Sequence, residues 1–168
     1  FDEYSDFARI GDGSLGGKGR GLAFMGAMVK RYPKLETENF NTNIPKTVVI
    51  CTDIFDEFME TNELLPVALS DADDETILKY FLRASLPASL IDDLMAFFDV
   101  VKSPIAVRSS SLLEDSHYQP FAGIYSTYMV PKIEEKYDML RTVSDAIKAV
   151  YASVFYKDSK AVSYTHLT

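Results

Sequence analysis

A single cysteine, Cys51, stands among the 168 residues. No internal disulfide can form, and so sparing a use of thiols suits a reducing compartment. No apolar run approaches the ~18 residues that a membrane-spanning helix needs, so no membrane partner is expected. Positive charge is also short: 17 Lys and Arg against 25 Asp and Glu leave a net charge of −8. That balance argues against a general nucleic-acid binder, whose footprint is a basic face, while leaving room for a local basic pocket around a small anion. The opening FDEYSDFARI is acidic and aromatic, with neither the basic n-region nor the cleavage site of a secretory leader. It also lacks an initiating Met, so the expectation is a cytoplasmic protein of which residues 1–168 are one partial domain. What is present in quantity is apolar surface, 47% of residues with 12% aromatic, sufficient for a packed core.

Glycine is scarce as well, and unevenly placed. Of eight glycines, six fall within GDGSLGGKGRG, Gly11 to Gly21. Gly11-x-Gly13-x-x-Gly16 formally matches a dinucleotide fingerprint, but that pattern has meaning only between a buried strand and the helix of a βαβ unit. The preceding YSDFARI is polar and mixed and predicts no strand. A phosphate-binding P-loop fails on spacing: its first glycine falls on Asp12, and Gly19 stands where Ser or Thr is required after the lysine. Gly16-Gly17-Lys18-Gly19 remains, directly ahead of a helix. Such a stretch lets backbone amides converge on an anion, with Lys18 as a mobile positive charge. A glycine-rich hinge carrying a solvated lysine fits the same residues.

Periodicity then predicts a helix over residues 21–32, with Leu22, Met25 and Val29 on one stripe and Lys30 and Arg31 at its end. A loop follows over 33–43, and KTVVIC reads as a β-branched strand. Thr52 is placed as the N-cap of the next helix. Two further helices are expected over 70–86 and 87–101, the acidic SDADDETI being a solvated helix start rather than a calcium loop. SPIAVRSS and FAGIYSTYMV read as strands. The last helix, 132–159, carries Leu140, Val143, Ile147, Val150 and Val154 on one stripe. The fold class expected is α+β, a mixed sheet with flanking helices. Cys51 ends an apolar strand and is assigned to the core. The aromatics of the last helix are assigned to packing.

A second cluster lies in PIAVRSSSLLED. Arg108 ends a strand beside Ser109, Ser110 and Ser111, a setting suited to bidentate phosphate recognition. A salt bridge from Arg108 to Glu114 or Asp115 is the alternative. Gly123, solitary within a strand pattern, marks a bulge or a close backbone approach.

In order and spacing, Gly16-Gly17-Lys18-Gly19, Pro45 through Thr52-Asp53, Arg108-Ser109-Ser110 with Glu114-Asp115, and Phe121-Ala122-Gly123 with Thr127 resemble one family. It is the nucleotide-binding domain of the phosphoenolpyruvate synthase and pyruvate phosphate dikinase enzymes, and the resemblance covers roughly residues 10 to 160. It implies the N-terminal portion of an ATP-grasp-like domain. ATP would be bound with Lys18, Arg108, Gly123 and Thr127 around its phosphates, and Arg108 would also act in catalysis. In the family, Mg²⁺ ligands, a phosphohistidine domain and a pyruvate or phosphoenolpyruvate-binding domain lie further along the chain. His117 and His166 are therefore not placed as the phosphorylated histidine. Three departures stand out: IPKTVVI lacks the usual glycine, Ile124 replaces the usual glutamine, and SHYQP is atypical. The closing VSYTHLT, within 161–168, does not continue the family pattern and is set aside as artefactual. The implied activity is phosphoryl transfer from ATP through a phosphohistidine to pyruvate. A related phosphotransferase acting on a glucan or an antibiotic, or a non-catalytic nucleotide-binding module, is the alternative.

Overall fold

A computed structural model describes residues 6–32, 44–110 and 126–160. The chain begins with β1 (Phe7–Ile10), α1 (Gly16–Arg31) and β2 (Thr47–Ile50). The two strands pair in parallel from Phe7 opposite Thr47 to Ile10 opposite Ile50. The ladder gains one bond at each end, Thr47 N donating to Asp6 O and Cys51 N to Ile10 O. Only Ile10 of β1 is buried, which is why FARI carries no strand signature in sequence. The expectation that no strand precedes the glycines is thus corrected: β1, α1 and β2 form a βαβ unit.

Helices α2 (Thr52–Thr61), α3 (Leu65–Ala68), α4 (Asp74–Arg83) and α5 (Ala88–Val100) follow. The Asp73 side chain accepts the Thr76 amide at the start of α4, so the acidic run does serve as a helix start. The remaining elements are β3 (Ile105–Arg108), β4 (Thr127–Val130) and α6 (Lys136–Ser153). Strands β3 and β4 pair antiparallel, Ile105 opposite Val130 and Arg108 opposite Thr127. The α+β class holds, but among the described residues the strands form two separate pairs, not one mixed sheet. Each pair is short because its ends are diverted. Gly11 turns away from β1 at a φ of 91°, and the backbone just past β3 bonds to the start of α1.

The core lies on the helical side. Phe58, Phe81, Ile77 and Leu90 are fully buried, packed with Met139, Val143 and Ile147 of α6. Within it Phe58 and Phe81 lie 5.9 Å apart, and at its margin the Phe55 ring meets Tyr151 edge-on at 4.9 Å. Each such side chain contributes roughly 1.5–3 kcal/mol through burial. Of the stripe expected on α6, Val143, Ile147 and Val150 are buried, but Val154 is 37% exposed. The helix ends at Ser153, whose hydroxyl bonds back to Val150 O. Cys51 is fully buried, as expected of a core residue.

Helix α1 behaves differently. It begins at Gly16, five residues earlier than periodicity suggests, and only Gly19 within it is buried. Met25 of the expected stripe is 55% exposed and Phe24 65%. Its position is therefore set at its N-terminus and not by burial of an apolar face.

Candidate functional site

Three segments far apart in sequence meet at the start of α1. The first junction joins the glycine loop to the start of α2. The Asp53 carboxylate accepts Asp12 N at 2.8 Å and Gly13 N at 3.0 Å, one on each oxygen. Thr52 Oγ1 accepts Ser14 N at 3.0 Å, and Thr52 N donates to Ser14 O at 3.1 Å. Thr52 is therefore not the N-cap but the first residue of α2, with Cys51 in the cap position. Its hydroxyl serves the loop instead. The Asp12 and Gly13 amides hold the Asp53 carboxyl below its ordinary pKa, because amide donors favour the charged form. Burial, with a further contribution from the same carboxylate, raises the pKa of the Cys51 thiol, the opposite of an activated nucleophile.

The second junction joins α1 to the end of β3. Gly17 N donates to Ser110 O at 3.0 Å. Gly19 N donates to Ser110 Oγ at 2.9 Å, and that hydroxyl donates to Leu15 O at 2.8 Å. Gly16 has a φ of 70°, and a Cβ there would overlap the Ser110 carbonyl oxygen. At Gly16 glycine is required by the approach of one backbone to another. This corrects the expectation that the loop amides converge on an anion: Asp12, Gly13, Gly17 and Gly19 already donate to protein oxygens. The alternative of a flexible hinge with a solvated lysine fails too, since the loop is anchored on both sides and Lys18 Nζ is shielded from solvent.

Arg108 is exposed at the end of β3, directly across from exposed Thr127. Cross-strand partners project on one face. Arg108, Thr127, Ala106 and Met129 thus share the outer face of the β3–β4 pair, while Ile105, Val107, Tyr128 and Val130 pack toward the core. Ser110, two residues beyond Arg108, ties that strand end to the turn carrying Lys18. Gly123, Glu114, Asp115, His117, Ile124 and His166 lie outside the described residues, as does the 161–168 tail. A groove of about 290 Å³ between α1 and β1 is lined by Phe7, Leu22, Gly26, Val29 and Ile44, among others. None of the predicted site residues borders it, and its walls are mainly apolar.

The β1–loop–α1–β2 arrangement reopens the dinucleotide reading, and hydrogen bonding now decides against it. In that motif an acidic residue after the second strand receives a ribose and the loop approaches a pyrophosphate. Here Asp53, the acid after β2, is turned onto the loop, and Ser110 covers the start of the helix. Comparison with known families gives a positive answer. The family model of the pyruvate phosphate dikinase AMP/ATP-binding domain matches residues 12–166. The chain belongs to the pyruvate phosphate dikinase AMP/ATP-binding domain family. No curated protein and no solved structure matches it. The dikinase-family match spans all three segments that meet at α1, so the junctions built by Asp53 and Ser110 lie within the family domain. In sequence Asp53 reads as part of a helix start and Ser110 as one of the hydroxyls beside Arg108, but neither has a visible partner across the fold. Their partners lie 40 and 91 residues away, beyond the reach of any local pattern.

Proposed function

We propose that this chain is the nucleotide-binding part of an ATP-dependent phosphotransferase of the dikinase type, the N-terminal portion of an ATP-grasp-like domain. The observation that carries the proposal is the junction at Ser110, which joins the Lys18 turn to the Arg108 strand end. Two cationic side chains from segments far apart in sequence are thereby mounted on one support. Phosphoryl transfer depends chiefly on positioning and on neutralising charge, and ATP supplies the group that is transferred.

Because the loop amides are taken, the side chains carry anion recognition. Arg108, exposed at the strand end, offers a planar fork of donors to phosphate oxygens, and Lys18, whose Nζ is shielded from solvent, adds a compact charge by turning outward from that shelter. Thr127, paired across the strands with Arg108, presents a hydroxyl beside it, and Gly123 is assigned to the same phosphate region by the family resemblance alone. Among the described residues no group of three His, Cys, Asp or Glu could hold a metal ion, so none is assigned to Mg²⁺. The acceptor proposed is a histidine on another domain of the full-length chain, then pyruvate; membership of the AMP/ATP-binding domain family supports this reading. No helix among the described residues is long and apolar enough to cross a membrane.

Product analysis of the full-length protein given ATP, Mg²⁺ and pyruvate tests this reading. Formation of phosphoenolpyruvate is the expected outcome. ATP consumption that instead phosphorylates a glucan or an antibiotic would keep the nucleotide site and replace the acceptor. No ATP binding at all would overturn both.

A further inference from the structure

We infer that Ser110 is a positioning residue that sets Lys18 and Arg108 relative to one another, and so determines how tightly the phosphate chain of a nucleotide is held. This rests on the nucleotide-binding reading above. Ser110 engages the first turn of α1 through both its backbone and its side chain. Its carbonyl accepts Gly17 N, and its hydroxyl accepts Gly19 N while donating to Leu15 O. Lys18 lies between the two amides so held. Its Cα is therefore fixed on both sides by one residue of the opposite strand end.

Side-chain and backbone contacts divide the task differently. The backbone bond to Gly17 survives any substitution of Ser110 that preserves the strand. Across this junction Gly19 N donates to the Ser110 hydroxyl, and Gly19 is buried against Leu15 and Val49. Removing the hydroxyl leaves a buried donor and a carbonyl without their shared partner. The turn can then recover them only by moving, and Lys18 moves with it. Loss of pre-organisation lowers affinity for the group that the cations meet together and leaves the rest of the ligand unaffected.

The test uses the full-length protein and compares its dissociation constants for ATP and for adenosine. Ser110→Ala is expected to weaken ATP binding roughly ten-fold while adenosine binding stays within two-fold, and Ser110→Thr, which keeps the hydroxyl, to restore ATP affinity. In the Ser110→Ala background, Lys18→Ala should cost markedly less than in the unaltered protein, because the two act as a unit. Should Ser110→Ala not fold, Ser110→Cys keeps the volume with a far weaker donor and acceptor and is read the same way. The inference is overturned by an unchanged ATP affinity, by equal weakening for ATP and adenosine, or by full additivity with Lys18→Ala. If Lys18→Ala and Arg108→Ala leave ATP affinity unchanged in the otherwise unaltered protein, the nucleotide-site reading itself falls. If they weaken it and Ser110→Ala does not, only the role of Ser110 falls.

Discussion

Replacing Gly16 by alanine tests the junction at its tightest point. Gly16 sits at a φ of 70°, and its added methyl would overlap the Ser110 carbonyl oxygen, with Ser110 Oγ 2.8 Å and Ser110 C 2.9 Å away. The obstructing atoms are mostly backbone and cannot rotate aside. The variant must hold a left-handed backbone, at about 1–2 kcal/mol, and must also retract the start of α1 from β3 to clear the overlap. Retraction breaks the bonds from Gly17 N and Gly19 N to Ser110, each contributing about 0.5–1.5 kcal/mol. The combined loss is about 2–5 kcal/mol, which lowers the melting temperature of a chain this long by roughly 5–20 °C. Gly21→Ala is the internal control. Gly21 lies in the same helix with nothing within 4 Å of an added Cβ, so alanine there should stabilise by about 0.5–1 kcal/mol. Thermal melts of the two variants should move in opposite directions. A Gly16→Ala protein that melts with the parent would refute the close approach of Ser110 to α1.

Three other outcomes follow from the same structure. The Tyr151 hydroxyl is buried with no hydrogen-bond partner among the described residues, and burial raises its pKa. Tyr151→Phe should therefore be neutral or stabilising by up to ~1–2 kcal/mol in denaturant titration; a clear loss would reveal a bond to that hydroxyl. Phe81→Ala empties the centre of the aromatic cluster and should cost about 3–5 kcal/mol, read as a lower denaturation midpoint with an unchanged slope. The Asp53 pKa is depressed by the loop amides. Its anchoring is thus complete above the ordinary carboxyl range, near pH ~3.9, and is lost as pH falls through the lowered value. Hydrogen-exchange protection at Asp12 and Gly13 should persist from neutral pH into that range and vanish below it. Asp53→Asn, able to accept only one of the two amides, should lose part of that protection even at neutral pH.

The elements legible in sequence are those whose stability is local or amphipathic. TVVI is β-branched behind Pro45, Asp73 caps its own helix, and Val143, Ile147 and Val150 recur at helical spacing on α6. Strand β1 was hidden because one of its four residues is buried and Arg9 faces solvent, paired with Asp12 at 3.0 Å. The start of α1 was hidden for the opposite reason. Intrinsic propensity penalises Gly16, Gly17 and Gly19 in a helix, yet the contact with Ser110 imposes one. At the site, Lys18 and Arg108 could be named from residue type and from the family resemblance. The groups that anchor the glycine loop and the start of α1 could not, because Asp53 and Ser110 act across 40 and 91 residues. The anion-cradling amides inferred from the glycines were the plausible local answer. Long-range hydrogen bonding displaced it.

The central claim is that Lys18 and Arg108, mounted on one support, hold the phosphates of a nucleotide. The most direct measurement is the dissociation constant for ATP of the full-length protein, unaltered and carrying Lys18→Ala or Arg108→Ala. Hydrogen bonds to a charged partner contribute about 1.5–3 kcal/mol, so each substitution is predicted to weaken ATP binding by roughly ten-fold or more. Two variants that bind ATP as tightly as the parent would contradict the claim.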